Sequence, residues 1–230
     1  MEREFEARDL IEVMEEAVNY NRFLLGTLVS WAGGARRVLD FGAGNGRFAL
    51  GLWERGFEVH AIEPDPVLRQ GIALQGIVAY ESLEALGRQR FDGVYTINVL
   101  EHIEDDRAVL EAFRERLDPG GRLLVYVPAF TILFSANDER VGHRRRYRKS
   151  TLLPALRAAG FVVERASYVD SIGFAAGLGY RFFGNRDGGV APTAVQLYDA
   201  ALFPLSRRLD RVLGSFVGKN LLVSATRVGS

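Results

Sequence analysis

The sequence predicts an α/β fold, a doubly wound and mostly parallel sheet of seven strands, on three observations. Short apolar runs of strand length alternate with helical patterns between residues 36 and 168. A glycine-rich turn, Gly42-Ala43-Gly44-Asn45-Gly46, joins the first apolar run to a helical stretch. Hydrophobic residues make up 48% and charged residues 25% of 230, enough to bury a core without disulfides, and cysteine is absent.

The elements follow in order. Phe5, Leu10, Val13, Met14, Ala17, Tyr20, Leu24, Leu25 and Leu28 recur at spacings of three and four, predicting one or two amphipathic helices ahead of the sheet. Residues 36–41 read as a strand, 46–55 as a helix and 58–63 as a strand; 66–75 read as a helix opened by Pro66. Residues 77–80 and 91–97 are strands, and a helix lies near 105–117. Asp118-Pro119-Gly120-Gly121 is a turn, and 122–127 form the fifth strand. A polar, basic loop over 130–149 leads to a helix capped by Ser150 and ended by Gly160. Residues 161–168 are a sixth strand, 170–215 helical in two pieces, and 220–226 a last strand. Residues 1–230 thus read as one domain: N-terminal helices (1–35), a ligand-binding core (36–168), a helical insertion or lid (169–218), and a last strand with its tail (219–230).

The balance of 29 basic and 29 acidic residues argues against a broadly basic nucleic-acid surface. The acidic opening, MEREFEARDLIEVMEEAV, lacks the order of a secretion signal, and no uncharged apolar run reaches the length of a bilayer span. A cytoplasmic location is expected, as monomer or homodimer, with peripheral membrane contact still open. No metal site is expected.

In such a sheet, ligands sit outside the carboxyl ends of the strands. The glycines are spaced G-x-G-x-G rather than the G-x-G-x-x-G of a dinucleotide loop, and Asp40 stands at the strand end, where its charge repels phosphate and attracts an amine. Glu63 ends the second strand, where an acid accepts the two hydroxyls of a ribose. An amine, a ribose and close backbone approach, without phosphate, describe S-adenosylmethionine.

VLDFGAGNGRF (38–48) resembles the first motif of the Rossmann-like, class I S-adenosylmethionine-dependent methyltransferases. AIEPD (61–65) is similar to their acidic second-strand motif, INVLEHIEDD (97–106) to the segment after their fourth strand, and LDPGGRLLVYVP (117–128) to their turn and fifth strand. The resemblance covers about residues 36–168. It implies that Asp40, Gly42, Ala43, Gly44 and Gly46 line the methionine part, that Glu63 holds the ribose, and that Pro64 and Asp65 lie by the adenine. Asn98, Val99, Leu100 and His102 would shape the pocket beside the sulfonium. The acid that many relatives carry after the third strand is not assignable; Glu81 or Ser82 could fill that place.

Methyl transfer to a hydroxyl or an amine needs a base. His60, inside the second strand, reads as structural. His102 lies at the crevice mouth. His143, in NDERVGHRRRYRKS (137–150), could serve as base with Asp138 orienting it. Arg144 or Arg146 could clamp an acidic group of the acceptor, with Tyr147 nearby. A similar Gly-His-x-x-x-Tyr stretch occurs in such methyltransferases with small or lipid-like acceptors. The plainer reading is a solvated loop whose arginines pair with acids. Apolar residues over 174–216 read as core or dimer face, as an acceptor pocket, or as a membrane contact. The expected function is transfer of a methyl group to a small-molecule or lipid/sugar-like acceptor, on oxygen. The alternatives are a non-catalytic S-adenosylmethionine-binding or regulatory protein, a nucleic-acid methyltransferase, and a nicotinamide oxidoreductase.

Overall fold

The computed structural model describes residues 13–183 and 192–229. The expected contributions of Phe5 and Leu10, and the side chains of Phe182 and Phe183, lie outside the described residues. The elements are α1 (Val18–Ala32), β1 (Arg37–Phe41), α2 (Arg47–Trp53), β2 (Glu58–Ile62), α3 (Pro66–Leu74), β3 (Val78–Tyr80), β4 (Phe91–Ile97), α4 (Asp106–Arg116) and β5 (Leu117–Pro128). Then come α5 (Ala136–Arg140), α6 (Lys149–Ala158), β6 (Phe161–Val169), α7 (Ser171–Phe183), α8 (Pro192–Leu197), α9 (Phe203–Leu213) and β7 (Asn220–Arg227).

The strands form one seven-stranded sheet in the order β3-β2-β1-β4-β5-β7-β6. β7 runs antiparallel between β5 and β6, and the other pairings are parallel. The chain winds outward from β1 to β3 and then returns to place β4 beside β1. That reversal opens a crevice at the carboxyl ends of β1 and β4.

Neighbouring residues on a strand feed opposite layers, because side chains alternate across a sheet. Leu39, Val94 and Leu123 pack with Leu110 and Phe113 of α4 and with Leu152 and Leu156 of α6. Val38, Tyr95 and Leu124 pack with Trp31 of α1, Leu52 of α2 and Ile72 of α3. Each such fully buried Leu or Phe contributes about 1.5–3 kcal/mol.

Two local expectations are corrected. The fifth strand begins at Leu117 rather than 122. Leu117 pairs with Phe91 and Arg122 with Gly93, so Asp118–Gly121 bulges out within the strand, with Gly120 at φ 77°. α6 starts at Lys149, so Ser150 lies in its first turn. The cap bond comes from Thr151, whose Oγ1 accepts from the Arg148 amide at 3.0 Å. The α3 start is as expected: Pro66 is the first helical residue, and Asp65 accepts from the Val67 and Leu68 amides at 2.8 and 3.2 Å.

Candidate functional site

The turn after β1 is closed on itself. The amides of Gly42 and Ala43 both donate to the Ile62 carbonyl, at 2.9 and 3.0 Å, and the Gly46 amide donates to the Ala43 carbonyl at 2.9 Å. The Gly44 amide donates to Glu63 Oε2 at 2.7 Å, and the Arg47 amide to Asn45 Oδ1 at 3.2 Å. A phosphate loop needs such amides free; here they are consumed by the protein. Gly42, Gly44 and Gly46 all have positive φ. At Gly42 a Cβ would also stand 2.4 Å from Val99 Cγ2, so only glycine lets the turn reach the segment after β4.

Beside this turn lies a cavity of about 240 Å³, lined on the sheet side by Asp40, Gly42–Asn45, Ile97 and Asn98, and on the other by Tyr20, Asn21 and Leu24 of α1. Asp40 is buried and faces Tyr95 in register on β4; the tyrosine hydroxyl donates to Asp40 Oδ2 at 2.7 Å. Burial raises the Asp40 pKa to about 7, the Tyr95 bond lowers it in part, and the Glu63 charge raises it further. A buried carboxylate short of a partner favours a cation. Glu63 is also buried, with Oε1 accepting from the Asp65 amide at 3.0 Å, and burial raises its pKa. Among the described residues, three other than glycine have positive φ: Asn98 past β4, Phe130 just beyond β5 and Asp170 past β6. Uncommon backbone thus gathers at the strand ends that face the ligand crevice.

The other expected cofactor contacts divide. Asn98 and His102 line the cavity, whereas Val99 packs on Gly42 and Leu100 is fully buried in the core. Pro64 is exposed, and Asp65 caps α3. Glu81 is largely exposed, 4.0 Å from Arg69, and the Ser82 hydroxyl donates to Glu84.

His102 and His143 close the far side of the cavity, edge to face with ring centroids 4.7 Å apart. His143 Nδ1 is 2.7 Å from Asp138 Oδ1. Asp138 is fully buried and also accepts from the Ser135 amide and from Arg146 Nε and Nη2, at 2.9, 2.8 and 3.0 Å. Burial alone would raise its pKa, but the bonds from His143 and Arg146 outweigh it and hold the carboxyl far below its usual range. His143 Nε2 points toward Glu101, 3.7 Å from Oε1. Glu101 is wholly buried and neither of its oxygens has a hydrogen-bond partner; burial raises its pKa to about 8. Partial desolvation, then repulsion from His143, lowers the His102 pKa, so that ring is neutral at pH 7. Glu101, His102 and His143 together offer three metal-ligating atoms within 4.8 Å of one another, a convergence with no spacing signature in the sequence.

Two expected acceptor contacts are placed elsewhere. Arg146 is 9% exposed and spends its guanidinium on Asp138, so it braces the loop instead of reaching an acceptor. Tyr147 is buried, its hydroxyl donating to the Leu100 carbonyl and Asp106 Oδ2 at 3.1 and 2.7 Å. Its backbone pairs with Pro128 and Phe130, which staples the loop to the end of β5. Arg144 is half-exposed next to His102, with Nε donating to the His102 carbonyl at 3.1 Å and Nη1 3.6 Å from Glu104. Arg145 pairs with Asp106 at 3.2 Å, so the basic run is largely neutralised by acids. His60 stacks on Tyr80 inside the sheet, as a structural residue would.

Sequence reasoning missed Glu101, Tyr95 and the α1 residues. The acid between Leu100 and His102 was the available signal for Glu101. Nothing local marks Tyr20 or Tyr95, which reach the site only through packing. Among the described residues none of 169–218 lines the cavity; α1 covers it.

The chain matches the family described as methyltransferase domain over residues 7–166. It is 36% identical over 99 residues to a ubiquinone biosynthesis O-methyltransferase of Xylella fastidiosa, covering 39% of this chain and 40% of that protein. The chain thus spans about two-fifths of the length of the curated relatives it matches. Among solved structures, an S-adenosylmethionine-dependent methyltransferase from Archaeoglobus fulgidus superposes with a TM-score of 0.60 at 18% identity, covering 90% of this chain and 94% of that one. One from Mesorhizobium loti gives 0.59 at 21%, covering 89% and 96%. The sheet order, the self-closed glycine turn and the match over residues 7–166 place this chain in the methyltransferase-domain family, with the Rossmann-like class I fold.

Proposed function

We propose that the protein is an S-adenosylmethionine-dependent methyltransferase acting on a hydroxyl of a small, lipid- or sugar-like acceptor. Asp40 carries the reading: it is a buried carboxylate at the crevice, set by Tyr95, beside a turn whose amides are already taken. Such a site suits an ammonium and rejects a diphosphate. The O-methyltransferase among the relatives favours oxygen as the acceptor atom.

When bound, the cofactor supplies a methyl group already activated on a sulfonium, which is left behind as a thioether. Asp40 pairs with the amino group. Glu63 has two of its four acceptor positions filled by amides and keeps two for a ribose diol. Gly42, Ala43, Gly44, Gly46 and Asn98 would shape the methionine side, and Pro64 and Asp65, which follow β2, would lie toward the adenine. His143 Nε2 would take the acceptor's hydroxyl proton. Asp138 holds the opposite nitrogen and stabilises the imidazolium that forms. Arg144, half-exposed and paired with Glu104 only at 3.6 Å, is the basic group that would exchange that partner for an acidic part of the acceptor.

Calorimetry with S-adenosylhomocysteine and with a nicotinamide dinucleotide tests the first half. Binding of the dinucleotide alone overturns the reading. Asp40→Ala should weaken S-adenosylhomocysteine by about 30- to 1000-fold, the loss of a charge-assisted buried contact. His143→Ala should spare binding and slow turnover by about 10²–10⁴-fold. Binding without product from any acceptor supports the non-catalytic alternative.

A second reading rests on the two unpartnered Glu101 oxygens. Glu101, His102 and His143 could hold a divalent cation, with Asp138 orienting His143 from behind. The cation would polarise the acceptor hydroxyl in place of a base. Turnover that is lost on chelation and restored by magnesium, manganese or zinc supports this; turnover indifferent to chelation leaves His143 as the base.

A further inference from the structure

α8 and α9 are joined through a π-helical turn, Tyr198–Leu202, into a nearly continuous helix over 192–213, about 33 Å long. One side faces the protein: Phe203 and Ser206 are buried, and the Arg207 guanidinium lies 3.9 Å above the Phe23 ring of α1. The other side is apolar and open to solvent. Leu202, Leu205, Leu209, Val212, Leu213 and Phe216 recur at helical spacing and are all exposed, Val212 at 73% and Phe216 at 75%. Leu197, 71% exposed, precedes the turn, whose i to i+5 geometry brings it back toward Leu202. A row of this size has no role in the core, and exposed apolar patches of this kind mark contact surfaces.

Charge selects the partner. Arg208 and Arg211, both exposed, flank the row on one edge, and exposed Lys219 follows it. The two acids between residues 192 and 219 are turned inward. Asp199 accepts from the Asn19 and Tyr20 amides at 2.7 and 2.8 Å, and Asp210 from the Asp170 and Ser171 amides at 2.8 and 2.9 Å. Among the described residues of this segment, every exposed ionisable group is therefore positive. Acids of neighbouring elements approach it at two places, Glu16 accepting from Gln196 at 2.9 Å and Glu164 sharing a depression with Arg211, but an apolar row whose own segment exposes only cations is complementary to an anionic lipid surface. A second copy of the same face would bring only like charges to its edge.

We propose that the exposed face of α8 and α9 docks the protein on anionic membrane lipid, with the apolar row in the headgroup–acyl boundary and Arg208 and Arg211 among the phosphates. The helix adjoins the candidate site. Phe203 packs edge-on against Tyr20 at 5.5 Å, and Tyr20 lines the cavity. The docked protein thus holds its crevice one helix layer from the lipid surface. This inference concerns binding and stands whether or not a methyl group is transferred.

Flotation of the full chain with vesicles tests it. Vesicles of phosphatidylcholine with phosphatidylglycerol should carry the protein up, and phosphatidylcholine alone should carry far less. Arg208→Gln and Arg211→Gln should each weaken partition about fivefold at low salt. Leu209→Ser with Phe216→Ser should reduce it at least tenfold while S-adenosylhomocysteine affinity and melting temperature stay at wild-type values. Absence of flotation with either vesicle overturns the proposal, as does flotation that these substitutions leave unchanged. A wild-type dimer that does not float, and that the Leu209→Ser/Phe216→Ser variant splits, assigns the face to a second copy and also overturns it.

Discussion

The two sides of the crevice are built on different principles. The side proposed for the cofactor, from β1 to β4, places its groups through backbone. A strand register sets Asp40 against Tyr95, and a turn of left-handed glycines brings Gly42 onto Val99. The side proposed for the acceptor, residues 129–148, has little regular structure and is held by side chains. One buried carboxylate, Asp138, binds His143, Arg146 and Ser135, and Tyr147 pins the loop to Leu100 and Asp106. A backbone-built site tolerates changes of side chain around it and fails when the backbone is disturbed. A side-chain-built site fails when its hub is removed.

The largest effect expected from this contrast is at that hub. Asp138→Ala leaves the Arg146 guanidinium, 9% exposed, without its partner. Losing one member of a buried pair costs about 3–5 kcal/mol, which for a chain of this size lowers the melting temperature by roughly 10 °C. Thermal unfolding checks it, and an unchanged melting point would mean that the loop does not depend on Asp138. Next comes Gly42→Ala on the cofactor side. Its φ of 78° and the approach to Val99 make any Cβ strained, costing about 1–3 kcal/mol and displacing the turn. S-adenosylhomocysteine affinity should fall about tenfold or more, and Val99→Ala in the same chain should restore part of it. If the second substitution restores nothing, the contact is not what fixes the turn.

Protonation gives a third, graded test. With the Asp40 pKa at about 7 in the free protein, the ionised form that an ammonium needs prevails above pH 7. Binding of the cation lowers that pKa, so affinity should be full above neutrality and fall by about tenfold per pH unit below it. Calorimetry between pH 5.5 and 8.5 reads the slope, and Asp40→Asn should flatten it. The smallest effect is expected from Tyr147→Phe. It removes a hydroxyl bonded to Leu100 and Asp106 while keeping the buried ring, for about 1–2 kcal/mol of stability. Cofactor affinity should not change. Were affinity to fall as steeply as stability, the two sides of the crevice would be coupled rather than independently built.

The sequence by itself determined the strand and helix alternation, the glycine turn between the first strand and the helix that follows it, and the placing of Asp40 and Glu63 at successive strand ends. These follow from periods of two and 3.6 and from the conformational range of glycine, which act within a few residues. His143 and Asp138 were legible as a pair for the same reason, since five residues separate them. Only the tertiary structure decided the rest. It turned Arg146 and Tyr147 inward, buried Glu101 against His143, and laid Tyr20 of α1 over the cavity. It also left the apolar row of α9 facing out, whereas its spacing alone fits a core helix equally well. Periodicity shows that a helix has an apolar face, but which way that face turns depends on partners distant in the chain.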